Sequence, residues 1–104
     1  FKGIESLEGA PSIVNGNVVC YENKLKSLHN IHKIFKHISG SAEFRHNPIK
    51  SHILGLIMID GLKTVLLDSW ELQSIINKHL SGNRDVFACQ EELIENGFEE
   101  FAQL

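Results

Sequence analysis

The sequence has few of the residue types that mark a chemically specialised small protein. It contains two cysteines, two prolines, one tryptophan and one tyrosine in 104 residues. Counting alone leaves open whether Cys20 and Cys89 form one disulfide or stay as two free thiols. Because Cys20 occupies an apolar position of its local pattern, where a thiol behaves as a small buried hydrophobe, we favour two reduced cysteines and an intracellular setting.

Long apolar runs and basic clusters are also missing. The longest nearly apolar run covers residues 53–59, and a membrane-spanning helix needs about 20 such residues, so the sequence predicts no membrane span. The net charge is −3 and the ten Lys and Arg residues are scattered. Phosphate contacts need clustered basic residues, so the composition argues against a general nucleic-acid binder.

Catalytic and metal-binding signatures are absent as well. No serine lies in a G-x-S-x-G elbow, and the glycines do not form a phosphate-binding loop. His29 and His32 have the spacing of two zinc ligands, but no CxxC pair or matching carboxylate completes a set of four. The sequence therefore predicts a protein that is not an enzyme and that holds no metal or cofactor.

One phrase occurs twice in the chain. Residues 18–28 and 42–52 both follow a leucine-rich-repeat pattern of apolar, any, apolar, any, any, Asn, any, apolar, and Asn23 and Asn47 lie 24 positions apart. Repeats of this class have periods of roughly 20 to 29 residues. The spacing predicts an α+β protein built as a short leucine-rich-repeat-like solenoid of short strands.

Strands are expected at residues 18–21, 42–45 and 64–67, with a longer, less regular one at 54–59. Asn23 and Asn47 follow the first two strands, where their amides would satisfy backbone groups that are otherwise buried without partners. We assign both residues a structural role. Cys20 and Phe44, from the same two phrases, join them as predicted structural residues.

Helical periodicity appears in two places. Ile31, Ile34, Phe35 and Ile38 predict a short helix, and a helical stripe from Leu72 to Leu80 predicts a longer one, with Asp68 as its cap and Gly82 at its end. Asp85 is expected to cap a further helix, in which Val86, Cys89, Leu93 and Ile94 face inward until Asn96 and Gly97 end it. We accordingly divide the chain into a solenoid, residues 1–69, and a C-terminal helical cap, residues 70–104. The amino-terminal end has no comparable cap, so we expect a longer parent chain or another subunit to cover it.

Residues 4–25, which contain SLEGAP, a V-x-G turn and a C-x-x-N step, resemble leucine-rich-repeat-like modules of tailed-bacteriophage proteins. Residues 89–104 resemble the closing helix of such proteins. The resemblance implies a viral origin and a solenoid with a helical cap, and it assigns no catalytic residue.

These features favour a non-enzymatic protein-binding module of a bacteriophage, acting in the virion or in the host cytoplasm on a phage or host protein. Its predicted contact residues point outward from the strands: Val19, Tyr21, Glu43 and Arg45. The alternative is a nucleic-acid-associated or metal-dependent protein that uses the basic, His-rich second repeat.

Overall fold

In a computed structural model, which describes residues 4–104, all strands are short and all pairings between them are parallel. β1 (Ile13–Val14) pairs with β3 (His37–Ile38). A second sheet has the order β2-β4-β5 and consists of β2 (Val18–Val19), β4 (Ser41–Glu43) and β5 (Thr64–Leu66). Parallel strands need crossover connections, and the segments between these strands supply them across the core.

Helical segments cover the rest of the core. They are α1 (Ile31–Ile34), α2 (Trp70–Ser81) and α3 (Val86–Glu95), with 3₁₀ turns at Leu54–Met58 and Glu99–Ala102. α2 packs on β5, and α3 packs on α2 and on both 3₁₀ turns. One continuous hydrophobic cluster, extending from Leu7 to Ala102, joins all of these elements.

Residues next to α2 and α3 set the ends of these two helices. Ser69, not the predicted Asp68, caps α2, because its Oγ accepts a hydrogen bond from the backbone N–H of Leu72 at 3.3 Å. Asp85 caps α3 as predicted, accepting from two backbone N–H groups at 3.0 and 3.1 Å. The predicted end of α2 at Gly82 is also confirmed.

The α+β class fits the structure, but the predicted solenoid is wrong. In a solenoid each repeat contacts only its neighbours, whereas here the last turn of the chain returns to its middle. The backbone N–H groups of Asn30 and Ile53 donate to the carbonyls of Leu104 and Phe101, both at 3.0 Å. The domain has a radius of gyration of 12.3 Å, close to the roughly 13 Å of a compact domain of about 100 residues.

The repeated phrase has a simpler cause. Val18 pairs with Ala42 across β2 and β4, and Ile13 pairs with His37 across β1 and β3, so the 24-residue spacing is the register of these two parallel pairs and not the period of a stack. The division of the chain into two units, residues 1–69 and 70–104, stays a prediction.

Three local predictions also fail. The segment predicted as a strand at residues 54–59 forms a 3₁₀ turn, because a short apolar run looks the same in sequence whether a buried strand or a buried turn adopts it. α1 ends at Ile34, so Phe35 and Ile38 are buried outside it. Ile94, predicted to face inward, is 47% exposed.

Candidate functional site

The three-stranded sheet presents one face to the core and the other to solvent. Side chains alternate between the two faces of a strand. Three residues paired in register are buried: Val18, Ala42 and Val65. Their successors therefore point away from the core: Val19, Glu43 and Leu66. Val19 is 54% exposed.

The parallel ladder continues past the ends of the strands. The N–H of Glu22 donates to the carbonyl of Arg45 at 3.1 Å, so the same alternation carries Tyr21 and Arg45 to the outward side. Tyr21 is 41% exposed and Arg45 is exposed. The structure thus brings together all four predicted contact residues on one face.

Arg45 and Glu43 form a closed ion pair within this face. The guanidinium Nε of Arg45 donates to both carboxylate oxygens of Glu43 at 2.9 and 3.0 Å, and Nη2 donates to Oε2 at 2.7 Å. The backbone N–H of Arg45 adds a bond to Oε1 at 2.9 Å. These hydrogen bonds from Arg45 hold the pKa of the Glu43 carboxyl below its usual value. The two side chains therefore hold each other in place, and their charges neutralise each other.

Two residues that the sequence did not predict as contacts complete the surface. The ring of His46 lies edge-on to that of Tyr21, with centroids 4.9 Å apart. The backbone N–H of His46, a residue in the left-handed region at φ 60°, donates to both oxygens of Asp68 at 3.0 Å. Asp68 thereby joins the segment after β5 to the segment after β4.

We call these residues the sheet surface: Val19, Tyr21, Glu43, Arg45, His46, Leu66 and Asp68. Trp70 begins α2 two positions after Asp68 and is 76% exposed. Neither His46 nor Asp68 could be identified from sequence, because one lies inside the Asn-containing phrase and the other matches a helix cap.

A small pocket opens beside the sheet surface, where β4 and β5 end. It has a volume of about 130 Å³. Its walls are mostly apolar, with polar groups from Asn47, Asp68 and Ser69. The apolar lining consists of Phe44, Ile49, Ile53, Leu67, Leu72 and Phe101. In open sheets with parallel strands, ligands commonly bind beyond the carboxyl ends of the strands.

The residues predicted as structural lie behind this surface. Asn47 is buried; its Nδ2 donates to the carbonyls of Cys20 and Phe44 at 2.7 and 3.0 Å, and its Oδ1 accepts from Leu25 N–H at 3.2 Å. Asn23 is also buried, and its Oδ1 accepts from Ile4 N–H at 2.9 Å.

The two cysteines and Phe44 are packed in the core. Phe44, Cys20 and Cys89 are at most 1% exposed, and the two cysteines are free. Burial raises the pKa of the Cys20 thiol to about 11 and that of Cys89 to about 12. A thiol in this state is protonated at neutral pH and is a poor nucleophile.

The histidines are dispersed over several contacts. His29 and His52 pack edge to face, with centroids 4.8 Å apart. His37 Nδ1 lies 2.7 Å from an Asp60 oxygen. Within residues 4–104, no group of three or more His, Cys, Asp or Glu side chains is placed to hold a metal ion.

The fold and site define a small α+β domain with parallel strands and an outward sheet surface. Comparisons with protein-family models, with curated proteins and with solved structures find no match to this chain. Over residues 4–104, no helix has the length and apolar character needed to span a membrane.

Proposed function

We propose that this domain is a non-enzymatic protein-binding module and that the sheet surface is its contact face. One observation carries the proposal: Val19 and Tyr21 are exposed by 54% and 41% beside a preformed Arg45–Glu43 pair. Tyrosine and arginine are enriched among the residues that dominate protein interfaces, and residues held in place before binding lose less entropy when a partner docks.

The charge of the surface favours a protein over a nucleic acid. Arg45 is the one permanent cation among the residues that define the sheet surface, and Glu43 already neutralises it. Asp68 adds a carboxylate nearby. Among the residues of the sheet surface, phosphate groups would meet no uncompensated permanent positive charge.

The partner is a phage or host protein, and the bacteriophage origin and the place of action, virion or host cytoplasm, stay predictions. A longer parent chain or a second subunit covering the amino-terminal end stays a prediction of the same kind.

The test compares partner capture by variants of the full chain. Tagged wild type, Tyr21→Ala, Val19→Ser and a Phe87→Ala control are each expressed in the natural host, cross-linked and purified. Phe87 is a matched control because it is 79% exposed and lies on α3, which packs on α2 and on both 3₁₀ turns. A central anchor contributes enough that its loss weakens binding by about 30-fold or more.

We expect one protein to be captured by wild type and by Phe87→Ala and to be lost from Tyr21→Ala and Val19→Ser. Circular dichroism and thermal unfolding establish that all variants fold. Equal capture by folded Tyr21→Ala and wild type would show that the sheet surface is not the contact face.

A further inference from the structure

The pocket beside the sheet surface has the size of one side chain. Its volume is about 130 Å³, near the roughly 150 Å³ of an apolar protein cavity that accommodates benzene. Pockets for drug-sized ligands and cofactors measure about 300 to 1,000 Å³. The pocket is therefore too small for a typical cofactor and matches a single aliphatic side chain or aromatic ring.

Most polar groups at the pocket are already used inside the protein. The Asn47 amide bonds to backbone groups in the core, and Ser69 Oγ accepts from Leu72 N–H at 3.3 Å. These groups position the walls and leave little hydrogen-bonding capacity for a ligand.

Asp68 is the exception. It is exposed and is the one charged residue of the pocket lining. Its two oxygens accept a single backbone N–H, that of His46, whereas a carboxylate has about four acceptor positions. The mouth of the pocket therefore offers one carboxylate with acceptor capacity that can face a cation.

We propose that this pocket takes one apolar side chain, of leucine to phenylalanine size, from the partner protein, and that a basic residue adjacent to it in the partner pairs with Asp68. The inference rests on the proposed function, since Asp68 belongs both to the sheet surface and to the pocket lining. A peptide lying across the carboxyl ends of β4 and β5 would place its anchor in the pocket while its neighbours cover Tyr21 and His46.

The test uses defined peptides and does not depend on the natural partner. Three capped dipeptides are titrated into ¹⁵N-labelled full chain and followed by NMR: acetyl-Leu-Lys-amide, acetyl-Leu-Glu-amide and acetyl-Ala-Lys-amide. The variants are Asp68→Asn, which keeps an oxygen for the His46 N–H, and Ile49→Phe, which fills the pocket from a partly exposed wall position.

We expect acetyl-Leu-Lys-amide to shift the amide signals of Leu67, Ser69 and Leu72 and to bind about two- to fivefold more tightly than acetyl-Leu-Glu-amide. Asp68→Asn should bring this ratio close to one, and Ile49→Phe and the alanine peptide should abolish the shifts. The proposal would be overturned if acetyl-Leu-Lys-amide at its solubility limit did not shift these amide signals. It would also be overturned if the shifts persisted in folded Ile49→Phe.

The two proposals fail separately. If Tyr21→Ala and Val19→Ser capture the partner as well as wild type does, the sheet surface is not the contact face. If the leucine peptides do not bind in the pocket, only the proposed anchor site is rejected. Asp68 is exposed, so we expect Asp68→Asn to fold. The comparison of the Lys and Glu peptides on this variant therefore tests the proposal even if Ile49→Phe unfolds.

Discussion

The side chain of Asn77 forms with the backbone of Val65 both hydrogen bonds that a neighbouring strand would form. Its Oδ1 accepts from Val65 N–H at 2.8 Å and its Nδ2 donates to the Val65 carbonyl at 3.0 Å. Gln73, one turn earlier on α2, accepts from Leu67 N–H at 3.0 Å. The outer edge of β5 is thus covered by amide side chains of a helix, which blocks pairing with another strand.

Replacing Asn77 should expose this edge. Asn77→Ala leaves the N–H and carbonyl of Val65 without these partners, and we expect a loss of about 1 to 3 kcal/mol in the free energy of unfolding. Urea denaturation followed by circular dichroism measures it. Ser74→Ala, an exposed change on the same helix, should alter stability by less than about 0.5 kcal/mol; equal losses in both variants would show that the amide does not stabilise the edge.

Asn47 should be more sensitive than Asn77, because it is buried and serves several backbone groups. Asn47→Ala removes partners from Leu25 N–H and the Cys20 carbonyl, so we expect a loss of about 2 to 5 kcal/mol. Asn47→Asp keeps the acceptor for Leu25 but turns a carboxylate toward carbonyl oxygens, so it should not restore stability. A fully stable Asn47→Asp would contradict the assigned donor role of Nδ2; thermal unfolding distinguishes the outcomes.

Acid should weaken the contact between α2 and α3. Lys78 and His79 lie 2.5 and 2.8 Å from the Glu92 carboxylate oxygens, and hydrogen bonding to Lys78 is the main reason why the pKa of Glu92 lies below its usual value of 4.5. A carboxyl with a lowered folded-state pKa stabilises the fold above its unfolded pKa, and this contribution is lost as pH falls through the folded pKa.

The difference in unfolding free energy between wild type and Glu92→Gln should therefore be present at pH 7 and shrink below about pH 4.5. Denaturation series at several pH values measure this difference. Glu91→Gln, which removes a carboxylate from the exposed side of the same turn, serves as the control. A difference that stays constant from pH 7 to pH 3 would rule out the ionic pairing as its source.

Gly55 allows the 3₁₀ turn at Leu54–Met58 to approach α1 closely. A Cβ at this position would lie 2.7 Å from His32 Nδ1 and 3.0 Å from Ile31 Cγ2. We expect Gly55→Ala to destabilise the protein by about 1 to 3 kcal/mol through overpacking. In Gly82→Ala the nearest atom would be the Lys78 carbonyl oxygen at 3.3 Å, so that control should lose less; the order of the two melting temperatures tests the contact.

Sequence periodicity located the C-terminal helices well, because their apolar stripes and terminal residues are local features. Asp85 and Gly82 lie at the predicted ends. The pattern around Asn23 and Asn47 also located the segments that form β2 and β4, although the sequence predicted them as repeats of a solenoid. These are the features whose cause lies within a few residues or in one repeated phrase.

The global arrangement was not visible, because it depends on contacts between distant segments. No local pattern shows that Arg84 donates to the carbonyls of Ile59 and Leu62, and the same pattern of apolar residues fits a stack and a compact domain equally well. The candidate site also divides into local and distant features. The outward positions of Tyr21 and Arg45 follow from strand alternation, whereas the pocket and the place of Asp68 beside it depend on the pairing of β4 with β5.

The return of residues 100–104 to residues 30 and 52–53 makes one wall of the pocket depend on contacts that lie outside the sheet. Phe101 lines the pocket, and the backbone N–H groups of Asn30, His52 and Ile53 donate to the carbonyls of Leu104, Glu100 and Phe101. A change that breaks these hydrogen bonds would therefore remove one wall of the proposed anchor site without altering any residue of the sheet surface.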